Sequence, residues 1–518
     1  MNAPILICQM QRMGDLVLSF PLLAWLAEVF PLHPLWVVGE RMFFEPLLPL
    51  SPAVTYFDYG EKPVFRDLSF HAVINLSHRR EAAVLAGGVR SDSIFGPYLD
   101  AKGRLLINGD WHLYRASLTD NNRYNVFHWS DLNALDIIPD RIMARTRWPR
   151  ARPLPLCDSP ERKEGGPCRR HPRFRRGGAR IGLFLGASEA EKHPGAGFWS
   201  ILAKWLLRAG HKPVLLGGSA EKLLGSAVAN TLQAHALNLC GHFSISALAR
   251  FIGELDLLIV PDTGPMHIAA WMGTPLVNLS LGPVNPWETG PFAPGHHVVR
   301  AALDCVGCWR CTQESAVCKE EMTAEKIAVF IDALLSGGNS DLPSLGRQCG
   351  GLEVLRTNRG CYGLYALEEV FRAPPVKKER YGRTFGREIP DDNAVSAGTE
   401  TVAVRRSLAL FWKSWFGTLF GRFTAREDFT AWESLRVEHP HISEQLRNGA
   451  VLMMAALVKH MRGNRSNAPD FSDVWKRSPP FLHPLSGYMD MYVQNALGSR
   501  ESFLYALSLL ERIAALPR

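Results

Sequence analysis

The chain has 518 residues, 47% of them hydrophobic and 21% charged. That is too long for one hydrophobic core and ordinary for a globular protein of two or three domains. A net charge of +8 and a pI near 9.0 favour an acidic partner such as a nucleotide, a phosphorylated lipid or a membrane surface. No nucleic-acid-reading motif accompanies the charge, so nucleic acid is not an expected partner. No segment has the run of about 18 apolar residues that a membrane span needs. Ile5–Cys8 is too short for a signal peptide, and Gln9, Gln11, Arg12 and Asp15 follow it directly. A cytoplasmic protein is expected, in which ten cysteines read as thiols or metal ligands rather than disulfides.

Residues 1–157 alternate short apolar strands with helical patterns. Ile5–Cys8, Leu35–Val38 and Val73–Leu76 read as strands, and Leu16–Phe30 as a helix. This order implies a parallel sheet with helices on both faces. Residues 158–180 scatter eight arginines and lysines, from Arg162 to Arg180, among Pro and Gly. They read as a basic linker: a solvated hinge or, alternatively, a contact for an anionic substrate or lipid. A second series occupies residues 181–338, with strands at Ile181–Leu185, Pro213–Leu216, Leu257–Val260 and Leu276–Leu279 and helices at Phe198–Ala209 and Ser246–Gly253. Two such halves imply an α/β protein in which two doubly wound domains face a cleft, with ligands at the carboxyl ends of the strands.

Residues 339–400 are rich in Gly, Pro and charge and read as an irregular linker, and residues 401–518 as a mostly helical extension. There Leu408, Phe411, Trp412, Trp415, Phe416, Leu419, Phe420 and Phe423 form an i, i+3, i+4 stripe flanked by Arg405, Arg406, Lys413 and Arg422. A helix packed into a bundle is the plain reading. A membrane-surface helix with basic residues near anionic headgroups is the sharper one.

The most informative stretch runs from Glu254 to Pro275. A buried parallel strand ends at Pro261-Asp262-Thr263-Gly264-Pro265, and a helix opens at once. Asp262 or Thr263 suits the N-cap, and Pro265 the first turn. Free N–H groups and the positive dipole end there suit a phosphate. Asp262 is a poor partner for phosphate but accepts hydrogen bonds from sugar hydroxyls, so the site suits a molecule carrying both.

Several motifs, in order along the chain, extend this reading. They are Ile5-Leu6-Ile7-Cys8-Gln9-Met10-Gln11-Arg12-Met13-Gly14-Asp15, Gly186-Ala187-Ser188-Glu189-Ala190-Glu191-Lys192, Leu216-Gly217-Gly218-Ser219-Ala220-Glu221, Asn238-Leu239-Cys240-Gly241-His242-Phe243-Ser244, Asp262-Thr263-Gly264-Pro265-Met266-His267 and Leu281-Gly282-Pro283-Val284-Asn285-Pro286-Trp287-Glu288-Thr289-Gly290-Pro291. Together they make the chain from Ile5 to about Leu335 resemble the family 9 glycosyltransferases, typified by the ADP-heptose:lipopolysaccharide heptosyltransferases. The resemblance implies a GT-B fold of two Rossmann-like domains, with the acceptor held mainly by residues 1–157 and the ADP-sugar donor by residues 181–338.

Asp15, in the loop-to-helix turn after the first strand, is placed to take a proton from an attacking hydroxyl, and the resemblance makes it the general base. A simple N-cap aspartate is the plain alternative. The resemblance makes Lys192 the cation that compensates charge on the departing diphosphate. Where relatives follow that lysine with a basic residue and Trp-Pro, this chain has His193-Pro194-Gly195, with Trp199 the nearest tryptophan. Ala187, Ser188, Thr263 and Gly264 would meet the phosphates, Asp262 the donor-sugar hydroxyls, Glu221 the ribose and Phe243 the adenine. Core packing is the competing reading for Phe243. His267 is read as neutral and helix-packed, one turn inside the phosphate-binding helix.

The resemblance implies inversion at the anomeric carbon. No Asp-x-Asp metal motif stands at the donor site, so no required cofactor is expected. Cys305, Cys308, Cys311 and Cys318 have a spacing that can bind one structural zinc, with plain thiols or disulfides as the alternative. The expected function is transfer of a heptose from an ADP-sugar to a lipopolysaccharide-core or related surface-glycan acceptor. The acceptor would be a glycolipid or surface glycan met at the inner face of the cytoplasmic membrane, with peripheral membrane contact. The rivals are a nucleotide-sugar epimerase of the same fold and a non-catalytic nucleotide-sugar-binding assembly module.

Overall fold

The computed structural model describes residues 2–65, 67–148, 178–233, 235–303, 305, 308, 311, 316–336, 342–373, 402–462 and 478–518. Two separate sheets organise it. The first holds β1 (Ile5–Cys8), β2 (Leu35–Gly39), β3 (Thr55–Asp58), β5 (Ala72–Asn75), β7 (Ile94–Leu99) and β8 (Leu105–Asn108); β4 (Ser69–Phe70) and β6 (Arg90–Ser91) pair beside it. Its order is β3-β2-β1-β5-β7-β8, parallel except for β7 with β8. All four residues of β1 are buried, as expected of a central strand covered on both faces.

The second sheet holds β9 (Arg180–Phe184), β10 (Lys212–Leu216), β11 (Leu237–Asn238), β12 (Leu257–Pro261), β13 (Leu276–Leu279), β14 (His297–Ala301), β15 (Leu352–Arg359) and β16 (Tyr365–Arg372). Its order is β11-β10-β9-β12-β13-β14-β15-β16, parallel as far as β14 and antiparallel beyond. In each sheet the order reverses beside the first strand, between β1 and β5 and between β9 and β12. Such a reversal opens a crevice at the strands' carboxyl ends, where ligands bind in doubly wound folds. Two Rossmann-like sheets of this kind make the GT-B architecture, here with a helical C-terminal region.

Two expectations change, and the choice between the two readings of the aromatic stripe is decided for the packed helix. The third strand in the chain is Thr55–Asp58, a half-exposed edge strand without the apolar run that marks a buried one. Residues 339–400, expected to be irregular, hold a helix at Leu342–Gln348 and the β15–β16 hairpin, so the second sheet continues past residue 338. Buried Leu352, Val354 and Phe371 on one face pack into the second lobe's core and build these strands despite the high charge. The aromatic stripe lies on helix Val402–Leu419 and faces inward: Leu408, Phe411, Trp412, Trp415 and Phe416 are at most 1% exposed. The stripe therefore builds a protein core rather than a membrane face. Most of the basic linker, residues 158–177, lies outside the described residues.

The C-terminal helices close over the first lobe. Phe416 meets Tyr114 at 4.5 Å and Phe420 meets Trp111 at 4.9 Å between ring centroids. The Asn495 side chain exchanges two hydrogen bonds with the backbone of Ile107, at 2.7 and 2.9 Å, on edge strand β8. This satisfies backbone groups that an edge leaves open. Among the described residues, no helix is long and apolar enough to cross a membrane.

Candidate active site

The two switch points face each other. Helix Met13–Val29 starts after β1, and helix Gly264–Trp271 starts after β12. Their first turns abut. A Cβ added at Gly264 would lie 2.7 Å from Met13 Cε, and one at Gly14 would lie 3.5 Å from His267 Cδ2. Glycine at these positions lets the two helix starts approach. Phe20 and Trp271 continue the seam edge to face at 5.5 Å.

Asp15 sits in the first turn of its helix. Burial pushes its carboxyl above the usual carboxylate range, while the charges of Arg115 and Arg12 pull it back down. Asp262 lies at the carboxyl end of β12, where the Thr289 hydroxyl donates to it at 2.9 Å. Burial raises this carboxyl too; Lys192 opposes the shift, and the charges of Asp15 and Glu189 add to it. The two carboxylates and the lysine therefore share one electrostatic neighbourhood across the cleft. Lys192 lies on the short helix Ala190–Lys192 after β9, with Glu189 at 3.5 Å. Trp199 is fully buried in the second lobe's core.

The other expected residues fall around this centre. Ala187 and Ser188 lie on the loop after β9, Ala187 half-buried and Ser188 exposed. Thr263 is the N-cap of helix Gly264–Trp271, its side chain making no capping bond. Glu221 ends the turn after β10 and accepts from the Gly218 N–H at 2.7 Å. A Cβ on Gly186 would strike it at 2.3 Å, so Gly186 makes room for that carboxylate beside the β9 loop. Phe243 is half-buried and packs on Phe251, with ring centroids 5.1 Å apart. His267 is buried in the seam, and burial lowers it to about 4, so it is neutral at pH 7.

Cys305, Cys308, Cys311 and Cys318 are free thiols. Burial raises Cys308 to about 11, with the other three adding to the shift. Among the described residues, no three Cys, His, Asp or Glu side chains stand where they could hold a metal ion together.

Sequence reasoning missed three buried charges. Glu288 bridges the lobes, accepting from Asn122 at 2.7 Å and Asn125 at 2.9 Å, and burial raises it to about 7. Arg359, on β15, reaches Asp131 at 3.5 Å and donates to the Phe292 carbonyl at 3.1 Å. Arg115 is 8% exposed, and its charge and that of Asp15 act on each other. Glu288 stood in a recognised motif without a role. Arg359 and Arg115 lie in no motif, and only the folded chain brings them to the seam.

Facing doubly wound sheets with acid and base groups at both switch points place the protein in the GT-B class. Within that class, residues 168–317 match the sequence model of glycosyltransferase family 9 (heptosyltransferase), and the chain is heptosyltransferase-like over that stretch. It is 32% identical over 103 residues to lipopolysaccharide heptosyltransferase 2 of Salmonella typhimurium, covering 19% of this chain and 29% of that protein. The Escherichia coli protein of the same name matches equally. The chain thus spans under a third of the length of these curated relatives. Among solved structures, E. coli ADP-heptose lps heptosyltransferase II aligns with a TM-score of 0.45 and 20% identity, over 64% of this chain and 98% of that one.

Proposed function

We propose that the chain is an inverting glycosyltransferase that moves a heptose from an ADP-sugar to a lipopolysaccharide-core or related surface-glycan acceptor. The two abutting helix starts, at Gly14 beside Asp15 and at Gly264 beside Asp262, support this reading. Asp15, as carboxylate, takes the proton of the acceptor hydroxyl while that oxygen attacks the anomeric carbon from the first lobe. The bond from that carbon to the β-phosphate oxygen breaks, and ADP leaves toward the second lobe. Lys192 and the N–H groups at Thr263 and Gly264 meet its growing charge, a form of stabilisation worth more in a site shielded from water. Asp262 accepts from sugar hydroxyls, and its Thr289 bond holds it in place. Glu221 serves the ribose and Phe243 the adenine. A single displacement of this kind requires no metal. Work at the inner face of the cytoplasmic membrane follows from such an acceptor.

Asp15→Asn tests the assignment. ADP binding should persist while transfer falls by about 10²- to 10⁴-fold, the usual worth of a general base. Unchanged turnover would remove Asp15 from the role. Isomerised donor in an acceptor-free reaction would instead indicate an epimerase.

A further inference from the structure

A second positive centre lies where the second sheet meets the C-terminal helices. Strand register sets Glu353 of β15 between Arg300 of β14 and Arg372 of β16, each directly opposite it. Glu353 and Arg300 are buried, at 1% and 5% exposure. The Glu353 carboxylate lies 3.4 Å from Arg300 Nε and 3.6 Å from Arg372 Nη1. Arg406, near the start of helix Val402–Leu419, pairs with the same carboxylate and with Glu369. Among the described residues, three guanidiniums therefore share two carboxylates, and Glu369 serves only one of them. Arg300 Nη2 donates to the Cys305 carbonyl at 3.3 Å, and Arg372 Nη2 to the Ala302 carbonyl at 3.1 Å. Arg300 Nη1 is buried without a partner.

Cations held out of water without equal negative charge are costly. Among the described residues, no further carboxylate pairs with these arginines, and the nearby Glu321 is engaged by Lys326 at 3.2 Å. Cys305 is a free thiol and gives Arg300 only its carbonyl. The first turn of helix Val402–Leu419 holds no acidic residue, so its N-terminal dipole adds to the positive field instead of offsetting it. Arg372 and Arg406 are half-buried, which leaves a small solute a way in that Arg300 alone would not. A phosphate group carries up to two charges and has oxygens facing several directions. It can accept from guanidiniums that converge from two strands and a helix.

We propose that Arg300, Arg372 and Arg406 form a binding site for a small phosphate-type anion, inorganic phosphate or diphosphate, which steadies the join between the second lobe and the C-terminal helices. The site is separate from the proposed donor site, because β13 stands between β14 and β12, whose end opens that crevice. The inference does not depend on the glycosyltransferase reading.

The test is calorimetric titration of the full chain with inorganic diphosphate and, separately, inorganic phosphate. The wild type should bind at least one of them, and the tighter of the two gives the size of the site. Arg406→Gln should weaken that binding about tenfold, the worth of one charge-assisted hydrogen bond. Lys192→Ala, which alters the proposed donor site, should leave it unchanged. Glu369→Gln should tighten it, because a carboxylate that competes for Arg406 is gone; a purely structural ion-pair network would not respond in this way. Absence of binding to either anion by the wild type overturns the proposal, even if Arg406→Gln fails to fold. So does anion binding that Arg406→Gln keeps and Lys192→Ala loses, which would assign the anion to the donor site. Binding that Glu369→Gln weakens or leaves unchanged also contradicts it. Stoichiometric zinc on the cysteines of the purified chain would overturn it too, since four thiolates around one zinc carry a net negative charge that would balance the arginines. Binding to vesicles containing phosphatidic acid but to neither free anion would assign the arginines to a lipid headgroup and likewise overturn it.

Discussion

At the scale of single residues, the site depends on carboxylates kept out of water. Asp15 and Asp262 are both raised by burial, and the charge of Asp15 raises Asp262 further. A base must be deprotonated to work, so activity should fall as pH drops through the Asp15 value. That value is raised, so the acid limb of kcat/KM should lie above the range of an ordinary exposed aspartate. A pH profile with no acid limb above that range would contradict the role. The motif residues at the loop tips were readable in the sequence because loops after parallel strands carry short, ordered signatures. Arg115 was not. A lone arginine on a helix reads as a solvated cation, and only tertiary packing, which brings it against Leu76 and Trp129, shows that it is buried.

At the scale of elements, the turn Pro286–Thr289 joins the lobes. Its Glu288 is held by Asn122 and Asn125 from the first lobe, and Asn285 donates to the carbonyls of the same two residues at 3.3 Å. His128 meets the Gly290 carbonyl at 3.0 Å. Burial raises Glu288 from 4.5 to about 7, so between those values the folded chain binds a proton that the unfolded chain does not. The stabilisation is complete below the unfolded value and is lost as pH rises through about 7. Melting temperature followed from pH 5 to 8 should therefore decline more steeply in the wild type than in Glu288→Gln. Parallel curves would show that this carboxyl does not titrate as described. The central strands of both sheets were legible as apolar runs. The β15–β16 hairpin was not, because its edge strand carries the exposed Glu368 and Glu369, paired with Arg356 and Arg406, and reads as a charged linker. The aromatic stripe was legible as a helix, but its partner surface was not: period alone does not tell whether apolar side chains meet lipid or protein.

At the scale of the whole molecule, the C-terminal residues serve both lobes. β15 and β16 extend the second sheet, while the later helices cover Trp111 and Tyr114 of the first. Arg359 and Tyr365 of the hairpin both reach Asp131, a buried aspartate of the first lobe. The cleft is thus set by one continuous structure that includes the hairpin. Its two helix starts, brought together at Gly14 and Gly264, are the geometric basis for the proposed reaction. The most direct measurement is a crystal structure of the full chain with ADP. The account predicts the diphosphate within hydrogen-bonding distance of the Thr263 and Gly264 amides and the Lys192 ammonium, with Asp15 across the gap. A nucleotide bound elsewhere on the protein, with those three groups empty, would contradict it.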